Sequence, residues 1–163
     1  MADKYSLYEV VITAIVQKDG KFLILQRADT KRRFPNRWTV PGGHLEIADF
    51  INEPKDTAEY WYNVLEKALA REVSEEVGLK IKNVRYVTSL ATVHEDGAPS
   101  LVISCLADYH SGEVKLQPEE CRDHAWVDLK EAKNYDLIDG IYDELAMADD
   151  VARGKPVDWQ RVK

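Results

Sequence analysis

Glu72, Glu75 and Glu76 fall within Arg71-Glu72-Val73-Ser74-Glu75-Glu76-Val77-Gly78. A helix turns about 100° per residue, so positions i, i+3 and i+4 share one face and these three carboxylates stand within mutual reach. Gly78 is a natural helix terminator, which puts Glu75 and Glu76 in the last turn, beside the negative end of the helix dipole. Like-charge pairs at this spacing cost roughly 0.2–0.5 kcal/mol each, and the dipole adds roughly 0.3–1 kcal/mol per acid. A solvated acidic face is the ordinary reading of such a cluster. A hard divalent cation, which prefers several carboxylate oxygens, is the reading that turns the repulsion to use.

Upstream lies Trp38-Thr39-Val40-Pro41-Gly42-Gly43-His44-Leu45-Glu46, a short apolar run ending in proline and a glycine pair. Gly42 and Gly43 allow backbone conformations closed to other residues and let a carbonyl or amide approach a ligand with no Cβ in the way. Strand, glycine turn and acidic helix together resemble the signature of the Nudix hydrolase family (MutT-like). Arg71 to Leu79 matches its second half at every fixed position, and Gly42 to Glu46 looks like its opening. Gln26-Arg27-Ala28 and Glu119-Glu120 shortly before Trp126 extend the likeness along the chain.

One departure stands out. In the usual motif a glutamate follows the glycine after five residues, and the Arg-Glu comes soon after it. Here Asp49 holds that place counted forward from Gly43, and Asn63 holds it counted back from Arg71. The extra residues, roughly 47–60, carry Phe50, Ile51, Pro54 and Tyr60, with Trp61 just beyond, and read as an ordered insertion inside the Nudix box. Asp56-Thr57-Ala58-Glu59 has the form of a capping box, which predicts a long helix from near Asp56 to Val77. Leu65, Ala68, Leu69, Val73 and Val77 give that helix an apolar stripe. At the mouth of the site the insertion would be a lid or specificity loop; at the periphery, a packing element or dimer contact.

The elements that must position these groups are strand-rich. Leu7 to Gln17 and Phe22 to Arg27 form a hairpin around Asp19-Gly20, and Val84 to His94 with Ser100 to Asp108 form a second. Glu113 to Leu116 and His124 to Val127 read as short strands, and Asp139 to Ala148 as a closing amphipathic helix. The order gives an α+β layered fold. The resemblance implies a Nudix-type α/β/α sandwich with a mixed β-sheet, spanning 1–163 as a single domain.

The chain has 163 residues, 45% of them hydrophobic, enough for one packed domain and short for two. A net charge of −7 is the wrong sign for a nucleic-acid groove or an anionic membrane surface. Met1-Ala2-Asp3-Lys4 opens no apolar leader, and no stretch approaches membrane-spanning length. Cys105 and Cys121 make no metal-type spacing, and His44, His94, His110 and His124 share none either, which disfavours zinc. Cytoplasmic localisation with reduced thiols is the expectation. Tyr8, Phe34, Trp38 and Trp61 are expected in the core rather than on a nucleobase platform.

From the resemblance, Gly43, Glu72, Glu75, Glu76 and Glu120 are expected to hold Mg²⁺ or Mn²⁺, with Glu119 as the alternative to Glu120. Glu72 and Glu120 are the candidate general bases, Arg71 orients the carboxylates, and Arg27 and Glu46 attend the substrate. The function expected is a metal-dependent pyrophosphohydrolase cleaving a diphosphate linkage in a nucleoside diphosphate derivative: a nucleoside triphosphate, an oxidised nucleotide, a nucleotide sugar or a dinucleotide. The alternatives are a non-catalytic nucleotide-sensing module and a diphosphate-ester isomerase. The partners expected are a small-molecule nucleotide and, possible on family grounds, a second copy in a homodimer, with no nucleic acid and no membrane.

Overall fold

A computed structural model describes residues 7–155, so the reading of Met1 to Lys4 lies outside the described residues. Strands β1 (Glu9–Lys18) and β2 (Lys21–Arg27) meet at Asp19 and Gly20, both with positive φ (52° and 76°), as the tight Asp-Gly hairpin requires. The two strands pair only at Gln17↔Phe22 and Lys18↔Lys21 and then separate. Into the opening goes the Trp38-to-His44 segment: β3 (Trp38–Thr39) pairs with β2, and β4 (Gly42–His44) pairs with β1. The other edge of β1 runs parallel to β6 (Pro99–Ser111), which carries β5 (Lys80–Val93) antiparallel on its far side. Strand β7 (Cys121–Val127) pairs antiparallel with β2.

This mixed seven-stranded sheet is covered on both faces, and its inner strands carry unbroken apolar runs at their centres, Ala14 to Val16, Phe22 to Leu25 and Cys105 to Ala107, all buried. Ile12, Ala14 and Val16 of β1 point to helix α1 (Val64–Val77), which buries Ala68, Leu69, Val73 and Val77 against them. Ile15 points the other way, with Ile24 and Leu106, toward α2 (Leu129–Ala132) and the Ile141, Leu145 and Ala148 side of α3 (Ile141–Ala152). The α/β/α sandwich expected from the resemblance is what forms.

Three local expectations fail. Helix α1 begins at Val64, not near Asp56. The Asp56 carboxylate accepts the Tyr62 N–H (2.9 Å), and the Thr57 hydroxyl accepts those of Glu59 and Tyr60, so the capping-box residues close a turn on themselves instead of starting a helix. Asn63, with φ of +56°, then turns the chain into α1. Residues 113–116 form no strand. The amides of Lys115 and Gln117 instead donate to the carbonyls of Val77 and Glu76, satisfying acceptors at the end of α1. Of the four aromatics expected in the core, Tyr8 and Phe34 are exposed, and Trp61 packs on Phe50 in the 50–62 loop (centroids 5.3 Å apart); of these four only Trp38 joins the core, edge-on to Tyr135.

Glu144 of α3 is 5% exposed against the sheet, and among the described residues the Ser104 hydroxyl below it approaches its carboxyl without well-formed hydrogen-bond geometry. Burial raises its carboxyl pKa, with the Ser104 hydroxyl opposing the shift. A raised folded-state pKa contributes stability below the unfolded value and loses it as pH rises through the folded one. Glu144→Gln should therefore be more stable than the wild type at pH 7, by about 1–3 kcal/mol, because the neutral amide can donate to Ser104. The advantage should shrink as the pH falls toward 4.5, which denaturant melts at both pH values would measure.

Candidate active site

The wedge of β3 and β4 between β1 and β2 lays the glycine pair against the acidic face of α1. Neither glycine has positive φ; both are needed for space. A Cβ on Gly42 would run into the Ile12 carbonyl and stand 2.8 Å from the Thr13 Cα, and one on Gly43 would overlap the Glu72 carboxyl. The site therefore depends on the missing side chains and not on unusual torsions.

Glu76 is the most enclosed of the helix acids. Its Oε2 accepts the Gly42 N–H (3.0 Å) and its Oε1 the Cys121 thiol (3.2 Å), so β4 and β7 together fix its orientation. Burial raises its pKa, and those two hydrogen bonds partly offset the shift. Glu72 is also raised by burial, with the Arg71 guanidinium pulling the other way. The Cys121 thiol is pushed far up by burial and by the Glu76 carboxylate, and so stays a neutral donor.

Arg71 decides between the two candidates for the first acid of the box. Its Nε and Nη2 grip both oxygens of Asp49 (2.5 and 3.2 Å), while Asn63 serves as the residue before α1. The Asp49 side chain is 3% exposed, and the Arg71 hydrogen bond holds its carboxyl below the usual range. It also accepts the Glu46 N–H (2.8 Å), tying the glycine strand to the helix through the short 3-10 turn at Ile47–Asp49. Arg71 reaches Glu72 and Glu75 as well, at 3.0 Å each. The 50–62 loop folds outside this junction, with Ile51, Tyr60 and Tyr62 exposed.

These groups face a cleft of about 400 Å³ lined by Arg27, Gly43, Glu46, Arg71, Glu72, Glu75, Glu76 and Glu120, all singled out in the sequence. Glu119 is exposed and outside it. No residue of the 47–60 segment lines the cleft itself, and the segment meets it through Asp49 on Arg71. Gly42 and His44 of the motif opening line the cleft too, and it adds Val11, Lys31 and Gln117, of which Lys31 carries the most chemistry. Lys31 meets Glu120 at 2.5 Å, a contact between residues 89 apart that no local pattern signals. Lys31 belongs to the basic loop of residues 29–37 between β2 and β3, where Arg33 is neutralised by Glu9 and Asp96, and Arg37 by Asp136.

Five carboxylates line the cleft against three cations, and every charged donor to a bound ion would be a hard oxygen. That donor set, with the pocket Gly43 leaves for the Glu72 carboxyl, fits a divalent cation such as Mg²⁺ or Mn²⁺. Among the described residues no three acid, imidazole or thiol groups converge into a closed ligand set. Of these carboxylates, Glu72 and Glu75 are paired with Arg71, and Glu120 with Lys31.

Residues 7–146 match the NUDIX domain model. Two curated relatives are NAD-capped RNA hydrolases NudC. The one from Mannheimia succiniciproducens is 32% identical over 124 residues, covering 75% of this chain and 41% of the relative. The one from Escherichia coli O1:K1 is 35% identical over 115 residues, covering 71% and 37%. The chain thus spans about two fifths of the length of these relatives. Among solved structures, the MutT NUDIX hydrolase from Burkholderia pseudomallei superposes with a TM-score of 0.69 at 20% identity, over 87% of this chain and 98% of that one. The NUDIX domain of Shewanella oneidensis NrtR, complexed with ADP ribose, gives 0.69 at 15% identity over 93% of each chain. Identities this low establish the fold alone. No helix among the described residues is long and apolar enough to cross a membrane.

Proposed function

The chain belongs to the NUDIX domain family, hydrolases of phosphoric anhydride bonds, and from that premise we propose that it is a metal-dependent pyrophosphohydrolase cleaving the diphosphate linkage of a nucleoside diphosphate derivative. The observation that carries the reading is the meeting of Glu72, Glu75 and Glu76 with the Gly42-Gly43 strand and Glu120 in one cleft.

Glu72, Glu75, Glu76 and Glu120, with the Gly43 carbonyl, would hold Mg²⁺ or Mn²⁺. The ion would supply charge neutralisation at the phosphoryl oxygens and a lowered pKa for water. The remaining work falls to the side chains. Arg27 is fixed by its Nε–H donated to the Arg33 carbonyl (3.0 Å), which leaves its other N–H groups for substrate phosphate. Glu46, at the rim, accepts hydrogen bonds from the substrate. Arg71 holds Glu72 and Glu75 in place through the Asp49 anchor. Glu72 or Glu120 takes the proton from the water that attacks phosphorus; the P–O–P bridge breaks and the phosphate fragment leaves. Such a displacement depends on positioning and electrostatics more than on covalent chemistry.

The names of the 32–35% identical relatives favour dinucleotides of the NAD type, free or at an RNA end, as the first substrates to test. The experiment is a screen of NAD, ADP-ribose, nucleotide sugars, nucleoside triphosphates and NAD-capped RNA with Mg²⁺ or Mn²⁺, with the products identified. Split diphosphates that appear only with metal support the reading; no turnover of any member with either ion would sink it.

A further inference from the structure

We propose that Lys31 is an exchangeable cation of the cleft: it neutralises Glu120 while no divalent ion is bound, and moves to a substrate phosphate oxygen when an ion takes Glu120. The inference rests on the metal-dependent reading above and adds a role for a residue outside the signature.

Among the three cations of the cleft, only Lys31 is placed to move. Arg71 is committed to four groups, the buried Asp49 among them, and Arg27 is anchored by its Nε. Lys31 has one side-chain partner among the described residues, Glu120. That pair is open to water, with the lysine side chain 26% and the glutamate 40% exposed, so it is of the kind that contributes little and exchanges readily. A divalent ion arriving at Glu120 both outbids a single ammonium for the carboxylate and repels it.

The released ammonium cannot go far. The Ala28 N–H donates to the Glu120 carbonyl (2.9 Å) and the Lys31 N–H to the Ala28 carbonyl (3.2 Å), which staples the foot of the Lys31 loop to the Glu120 turn. Lysine's four-carbon stem then sweeps the same cleft that Arg27 lines, and a strongly hydrated point charge suits a phosphate oxygen. The exchange also suits the charge of the cleft. Five carboxylates facing an anionic substrate need every available cation turned toward the phosphates once the metal is in place.

The test uses Lys31→Met, which removes the charge but keeps the stem, and Lys31→Arg, which keeps the charge. Both are titrated with Mn²⁺ alone, and with ADP in saturating Mn²⁺. Exchange predicts effects of opposite sign. Lys31→Met should bind Mn²⁺ about three- to fivefold more tightly, the scale of an exposed ion pair. It should bind ADP about tenfold more weakly, the scale of one lost charge-assisted contact. Lys31→Arg should restore ADP binding to within about twofold of the wild type. Mn²⁺ affinity unchanged or weakened in Lys31→Met overturns the inference, and so does ADP binding that the wild type lacks or that the methionine leaves intact. Glu76→Gln serves as the control that locates the ion: Mn²⁺ affinity it fails to lower means binding elsewhere, which also overturns the exchange. A wild type that neither binds Mn²⁺ nor turns over any substrate of the screen brings down the hydrolase reading as well. Failure confined to the Lys31 variants leaves that reading standing.

Discussion

Glu76→Gln should lower metal-dependent hydrolysis by about two to four orders of magnitude while the thermal melt stays at or slightly above that of the wild type. The separation of activity from stability follows from the two partners of the carboxylate. An amide oxygen can still accept the Gly42 N–H, and the amide NH₂ can donate to the Cys121 sulfur, so the isostere strands only the weak thiol S–H donor. Burial raises the Glu76 pKa, so the fold opposes the charged form at neutral pH, and the neutral amide relieves that opposition. What is lost is the negative charge a divalent ion needs. Rates with Mg²⁺ on the substrate found in the screen, alongside calorimetric melts, would measure both. Turnover equal to the wild type would remove Glu76 from the catalytic set.

The two neighbouring glycines should fail in opposite ways when changed to alanine. In Gly43→Ala the three atoms nearest the new methyl all belong to the Glu72 carboxyl, the end of a side chain held by an Arg71 ion pair and not by backbone, so the protein should fold with nearly wild-type stability. Its activity should fall about a hundredfold, because a displacement on the order of 1 Å in a catalytic group costs that much. In Gly42→Ala the methyl meets backbone of β1 at Ile12 and Thr13, within a paired strand that cannot yield. That variant should lose about 1–3 kcal/mol or more of stability through overpacking. Parallel urea titrations and rate measurements test the contrast. A Gly43→Ala enzyme of full activity would show that the close approach to Glu72 does not serve catalysis.

Asp49 and Glu144 illustrate how differently a buried acid can stand in this protein. Asp49 is held ionised by Arg71 and links the glycine strand to the helix, whereas Glu144 meets no cation among the described residues and stands as a cost the fold carries at neutral pH. Sequence distance conceals the first. Asp49 and Arg71 are 22 residues apart, and only the path of the 50–62 loop decides that Asp49, not Asn63, meets the guanidinium. The misplaced helix start has a local cause. Asp56, Thr57 and Glu59 have cap-forming side chains, but the same oxygens serve a tight turn equally well, and nothing in the pattern favours one use over the other. Residues 113–116 have strand-like composition, yet the Lys115 amide, like that of Gln117 just beyond, goes to a carbonyl at the end of α1, a demand created elsewhere in the chain.

By itself, the sequence determined whatever a regular period can encode. The 3.6-residue turn set Glu72, Glu75 and Glu76 on one face of α1; Gly78 ended the helix; the Asp-Gly pair turned the first hairpin; and the continuous apolar runs of the first two strands required a sheet covered on both sides. Only the tertiary structure decided which distant groups complete the cleft: Asp49 on Arg71, Gly42 and Cys121 on Glu76, Lys31 on Glu120. The reason is physical. Local periodicity fixes directions along one element, while contacts between elements depend on how strands separate and loops return, and those are settled by packing the whole chain at once.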